Sequence, residues 1–173
     1  MIIGAGKQGT AYLLDITQLK GLQGNGSSGY QPLQTLSVGG CWCAPSYFGG
    51  SGNGTVYYQG NGAQLTAYSV ARTGTPQLTQ TATSSDGAGF GGSFPVISSN
   101  GNDSSTAVVW AIERGNPTEQ LKAYNAVSLG APLFAANAGN WSNGSRSYLS
   151  PLVANGRVYV GAANTVTVFG LTN

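Results

Sequence analysis

The chain has no histidine. That absence excludes Ser-His-Asp and Cys-His nucleophilic machinery and any His-ligated zinc, iron or copper centre. Charge is scarce as well. Lys, Arg, Asp and Glu make up 7% of the residues, against about a quarter in an average domain. Seven bases and five acids leave a formal net charge of +2. The bases (Lys7, Lys20, Arg72, Arg114, Lys122, Arg146 and Arg157) are spread singly, so the basic run expected of a nucleic-acid binder is missing. No stretch approaches 18 consecutive apolar residues, which argues against a membrane-spanning helix. The opening MIIGAGKQGT lacks the basic and apolar regions of a signal peptide and reads as a strand. Such a start is expected of a piece of a longer protein or of a chain whose leader has been removed.

Aliphatic and aromatic residues are plentiful, at 40% of 173 residues, enough for one domain with a real core. There are 28 glycines, many in Asn-Gly and Gly-Asn pairs. Gly costs about 1 kcal/mol per helical position, so this composition favours strands joined by tight turns. Low charge with abundant Asn, Ser, Thr and Gly suggests a secreted or periplasmic bacterial setting.

A pattern recurs at roughly 50 residues. Apolar strands read MIIGAG at Met1, VYYQG at Val56, VVWAI at Val108 and VYVGA at Val158. Each is followed by a second strand: TAYLLDI at Thr10, QLTAYSV at Gln64, QLKAYNA at Gln120 and TVTVFGL at Thr165, with Tyr68, Tyr124 and Phe169 in equivalent places. Three units carry a proline-led strand ahead (APSYF, FPVIS, SPLVA), and a more polar fourth strand comes from LQTLSV, PQLTQTATS and APLFAAN. Asn155-Gly156 is a strong hairpin signal.

The unit is therefore four antiparallel strands, and the fold class expected is all-β, a partial propeller of about four blade-like units within one domain. The units run about 1–38, 41–84, 94–138 and 148–173. The two inner ones are complete. The first lacks its proline-led strand and the last its polar outer strand. The competing arrangement is a two-layer sandwich.

The run GGSFPVISSNG…AVVWAIERG…EQLKAYNAVSLGAPLFAAN, followed by SPLVANGRVYVGAANTVTVFGL, resembles the closing blades of pyrroloquinoline-quinone-type, or quinoprotein-like, β-propellers. Pro151, Val153, Asn155, Gly156, Val158, Tyr159, Val160 and Gly161 match one blade motif. Leu121, Ala123, Tyr124 and Asn125 match another. The resemblance implies a propeller and suggests a quinone-dependent oxidoreductase. The family's docking motif and its adjacent cysteines are missing, and the chain offers too few Arg, Glu and Asp to hold the quinone alone. Family propellers have about eight blades, so the resemblance implies half a ring. A homodimer is expected to complete it, and the alternatives are a missing half of a longer chain or a compact four-blade ring.

Candidate chemistry is thin. Glu113 and Glu119 flank the hairpin ERGNPTE and are a candidate acid–base pair for a glycoside; the expected reading is that both keep the turn soluble beside Arg114 and Lys122. Cys41 and Cys43 in CWCAP are expected to be two partly buried thiols, with a strained disulfide as the alternative and a sign of an oxidising compartment. Asn100, Asn102 and Asp103 in SSNGNDSST form the best calcium candidate, since hard oxygens suit that ion; Asp86 in SSDGAG is a weaker one, and turn chemistry is the expected role. Tyr57, Tyr58, Trp110 and Tyr159 read as packing, and Trp141 as a plug between units or a platform for a sugar ring. The expected function is a scaffold or binding module for a small molecule or glycan. The alternatives are a calcium-assisted lactone or glycoside hydrolase and a piece of a quinone-dependent oxidoreductase.

Overall fold

Short runs of β-branched and aromatic residues, broken by Gly and Asn at close intervals, build strands and almost nothing else. The computed structural model describes residues 1–18, 31–50, 52–115, 117–141 and 148–170. In chain order its strands are β1 (Ile2–Ala5), β2 (Thr10–Leu14), β3 (Gln34–Ser37), β4 (Ser46–Phe48), β5 (Thr55–Tyr58), β6 (Gln64–Ala71), β7 (Gln77–Gly87), β8 (Val96–Ser98), β9 (Val108–Arg114), β10 (Thr118–Asn125), β11 (Leu129–Asn140), β12 (Leu152–Ala154), β13 (Arg157–Ala162) and β14 (Thr165–Gly170). Two 3-10 turns, Ile16–Gln18 and Ser104–Thr106, are the helical content among the described residues. The all-β expectation is met.

Antiparallel pairing joins β1–β2–β3, β4–β5–β6–β7, β8–β9–β10–β11 and β12–β13–β14 into four meanders. Turn chemistry sets the hairpins. Asn155 and Gly156 sit at φ 50° and 70°, the left-handed pair that a two-residue hairpin needs between β12 and β13. The second and third meanders are not separate sheets. A single parallel bridge pairs Ser84 of β7 with Gly130 of β11. At the far ends β4 and β8 meet, where the Ser46 hydroxyl donates to the Pro95 carbonyl. The eight strands thus form a nearly closed, barrel-like sheet, a feature that the expectation of separate leaflets did not contain. Gly130 has a φ of 67°, in the left-handed region that suits glycine, and follows Leu129 at 49°.

Each of three hydrophobic clusters lies between successive meanders. The first joins Leu13 of β2 to Val56 and Tyr58 of β5 and Val70 of β6. The second joins Tyr57 of β5 and Leu65 of β6 to Val109 of β9 and Tyr124 of β10. The third joins Ile112 of β9 and Leu121 of β10 to Val158 and Val160 of β13. Alternation makes this arrangement work, because Tyr57 and Tyr58 are neighbours in sequence and serve opposite clusters. Full burial of a Leu, Val or Ile side chain contributes about 1.5–3 kcal/mol. A meander of three or four strands cannot shield both faces, so its neighbours supply the cover. The outward face of β12–β14 stays open: Leu152, Tyr159 and Val168 align across it, and Leu152, Val166 and Val168 are exposed. Ile2 and Tyr12 are exposed on β1 and β2.

Backbone approach at one end of the sheets is set by glycine. A Cβ on Gly89 would overlap the Arg114 carbonyl oxygen, and one on Gly60 would overlap that of Val38. The first of these contacts lets the Ala88–Ser93 loop lie against β9.

Candidate ligand site

Two apolar-walled clefts between neighbouring meanders stand out among the described residues. One, of about 400 Å³, lies between the first and second and is lined by Ile3, Leu13, Tyr47, Val56, Val70 and Arg72 among others. The Arg72 guanidinium is engaged there, donating to the Tyr47 hydroxyl with its charge 5.8 Å from the Tyr47 ring centre. The other, of about 620 Å³, lies between the third and fourth meanders. Its aromatic wall is Trp110 from β9, Phe134 from β11 and Phe169 from β14, the two Phe rings meeting edge to face at 5.8 Å. Val158 and Val168 extend the apolar lining.

The polar residues of the larger cleft are Ser98 and Arg157, and the Arg157 stem lies over Gly170 on the face of β13 and β14 opposite Val158 and Phe169. Trp110 Nε1 donates to the Ser98 hydroxyl oxygen at 2.9 Å, which fixes the indole and leaves the hydroxyl proton for another acceptor. Arg157 is exposed and stands in no ion pair among the described residues. No acid lines the cleft. A volume in the range of about 300–1,000 Å³, mostly apolar walls and a few polar groups are what small-molecule sites share.

The charged residues elsewhere tie meanders together. Lys122 of β10 bridges Asp86 of β7 and Glu113 of β9. The Tyr124 hydroxyl donates to Asp86 Oδ1 at 3.0 Å. Burial would lower the Lys122 pKa, but its hydrogen bonds and the two carboxylate charges outweigh that and raise it. Burial, then the Asp86 charge, push the Tyr124 phenol well above its ordinary value. Asp86, expected as a weaker calcium candidate, has both oxygens engaged in this bridge.

Glu113 and Glu119 are not brought together. Glu113 pairs with Gln120 and Glu119 with Arg114, so the two carboxylates point to opposite faces of the sheet. Nor does Glu119 keep a turn soluble. It is fully buried, and neither carboxylate oxygen has a hydrogen-bond partner among the described residues. Burial lifts its pKa to about 7. Beside it Arg114 is buried and donates through Nε and Nη2 to the Gly92 carbonyl, at 3.2 and 2.5 Å. Trp141 lies 5.9 Å from the Arg114 guanidinium, measured to its ring, and is buried, as the plug reading expects. Residues 142–147, the rest of the Asn-rich loop considered for sugar stacking, lie outside the described residues.

Asn100, Asn102 and Asp103 are exposed. Asp103 Oδ1 accepts from the Ser105 amide at 2.9 Å and the Ser105 hydroxyl at 2.7 Å, capping the short 3-10 turn. The Ser105 side-chain bond, then the backbone bond, hold the Asp103 pKa low. The Asp103 amide donates to the Asn100 carbonyl at 3.2 Å. Turn chemistry thus occupies this segment. No group of three or more Cys, Asp or Glu side chains with metal-holding geometry occurs among the described residues. Cys41 and Cys43 form a disulfide, which corrects the expectation of two thiols. Both cysteines lie in the connection between β3 and β4, with their Cα atoms 4.9 Å apart.

The sequence reading missed the larger cleft. Phe134, Phe169 and Arg157 stand on three different strands, and no local pattern marks them as neighbours. Comparison with family models, with curated proteins and with solved structures returned no match.

Proposed function

We propose that this chain is a binding module on a propeller-type scaffold of the quinoprotein kind, with its ligand held in the cleft between the third and fourth meanders. The observation that carries the reading is that cleft: three aromatic walls with the Ser98 hydroxyl beside them. Elsewhere Lys122, Asp86 and Glu113 are spent on joining meanders. The succession of three apolar clusters, each between consecutive meanders, supports a radial order of blades. In this reading the one-residue link between β7 and β11 is a local touch between adjoining blades.

The uncovered outward faces support pairing with a second copy to complete a ring. Val166→Glu tests the pairing by solution mass. The parent is expected at twice the chain mass and the variant at one chain mass, and a parent that stays monomeric at high concentration refutes it. Binding is tested with a neutral apolar fluorophore, N-phenyl-1-naphthylamine. Saturable binding that Trp110→Ala weakens at least tenfold, with folding checked by circular dichroism, is the expected result. No saturable binding, or binding indifferent to Trp110, overturns the reading.

A further inference from the structure

We propose that the Cys41–Cys43 disulfide is a thiol–disulfide exchange site that oxidises a cysteine pair of a peptide substrate, with Cys43 attacked and Cys41 leaving under a hydrogen bond from Tyr58. This activity is separate from the cleft and does not rest on the binding reading above. A bond between cysteines two positions apart closes so short a loop that it removes little freedom from the unfolded chain, which leaves redox chemistry as its main consequence. The two sulfurs differ in their surroundings. Cys41 is buried in the first apolar cluster, while Cys43 is only partly buried. An incoming thiolate therefore reaches Cys43 first.

The Tyr58 hydroxyl lies 3.3 Å from Cys41 Sγ. A disulfide sulfur carries no proton, so the hydroxyl is the donor. Burial lifts the Tyr58 phenol to about 12, and it keeps that proton in neutral solution. The bond strengthens as Cys41 becomes a thiolate, which lowers the cost of charge on a buried sulfur. Lys7 brings a cation to the same turn: the Cys41 amide donates to the Gly6 carbonyl at 3.1 Å, and the Lys7 ammonium is 5.5 Å from the centre of the Trp42 ring. Trp42 packs against the exposed Phe90 with ring centres 5.4 Å apart, so an aromatic shelf for an apolar peptide side chain adjoins the sulfurs. In the exchange, a substrate thiolate attacks Cys43 Sγ, the bond between the two cysteines breaks, and its electron pair passes to Cys41 Sγ. The second substrate thiolate then attacks the substrate sulfur held on Cys43, and Cys43 leaves as a thiolate. The substrate departs as a disulfide. Its two electrons, and the two protons its thiols gave up, end on the cysteine pair.

The test mixes the oxidised protein with a reduced peptide carrying two cysteines and a phenylalanine, and follows both disulfides by mass spectrometry. The folded parent is expected to oxidise one equivalent of peptide at least tenfold faster than the same concentration of oxidised glutathione does. A peptide with glycine in place of the phenylalanine is expected to react more slowly. Tyr58→Phe keeps the ring and is expected to slow the exchange at least fivefold, with its fold checked by circular dichroism. In the reverse direction, Cys41→Ser is expected to collect a mixed disulfide with the oxidised peptide, and Cys43→Ser to do so at least tenfold more slowly. Exchange no faster than with glutathione, or exchange seen only in urea, overturns the proposal and leaves a structural disulfide. Equal rates for the two peptides overturn the aromatic shelf, equal rates for parent and Tyr58→Phe overturn the role of Tyr58, and equal trapping by the two serine variants overturns the assignment of Cys43.

Discussion

Replacing Glu119 by Gln should stabilise the protein in neutral and alkaline solution and leave it nearly unchanged in acid. Glu119 is fully buried, with neither oxygen hydrogen-bonded among the described residues. Burial disfavours the charged carboxylate, and its pKa rises from 4.5 to about 7. The folded state therefore holds a proton that the unfolded chain releases earlier. Below about pH 4.5 both states carry the neutral acid, and the group imposes no penalty. Between about 4.5 and 7 stability falls as pH rises, and above about 7 the loss is complete. The gap between about 7 and 4.5 corresponds to about 3 kcal/mol. A neutral amide resembles the protonated acid, so near pH 4 the two proteins should agree within about 1 kcal/mol. Near pH 8 the variant should lead by about 3 kcal/mol, a shift of about 1.5 M in urea midpoint for a slope of about 2 kcal/mol/M. Urea unfolding followed by Trp fluorescence at both pH values measures the difference, in which contributions from groups common to both proteins largely cancel. A variant that is equally destabilised at both pH values would refute the reasoning, as would a parent-to-variant gap that does not change with pH.

Other consequences can be checked by the same unfolding experiment. Gly89→Ala should cost about 2 kcal/mol or more, because the added methyl meets the Arg114 backbone carbonyl, which cannot move aside without shifting β9; a loss under 0.5 kcal/mol would show that the loop is free to yield. Lys122→Met should cost about 2 kcal/mol by leaving Asp86 and Glu113 facing each other without their cation, and restoring neutrality with Asp86→Asn in the same chain should recover part of the loss. Reducing the Cys41–Cys43 disulfide opens a very short loop and should cost at most about 1.5 kcal/mol, with the far-UV circular dichroism retained.

Local chemistry wrote the strands into the sequence. The landmarks at Val56, Val108 and Val158 and the aromatic strands after them fall on β5, β9 and β13 and on β6, β10 and β14. The proline-led APSYF, FPVIS and SPLVA became β4, β8 and β12. Asn155-Gly156 made its hairpin because only residues tolerant of positive φ fit there. Asp103 took the turn role, since its side chain reaches the Ser105 amide two residues on.

Whatever depends on which meander lies beside which was decided by tertiary structure. ERGNPTE reads as a polar hairpin, yet period-two alternation puts Glu113 on the face toward Lys122 and Glu119 on the opposite face, and the neighbouring surface seals only the latter from water. The bond between the two cysteines needed the backbone path between β3 and β4. The link between β7 and β11 hangs on one glycine reaching one serine 46 positions earlier in the chain. The cleft needed Trp110, Phe134 and Phe169 to converge from separate strands. Strand formation is a property of neighbours in sequence, which the chain states directly. Burial, charge pairing and cavity shape arise between faces far apart in sequence, and only their packing sets them.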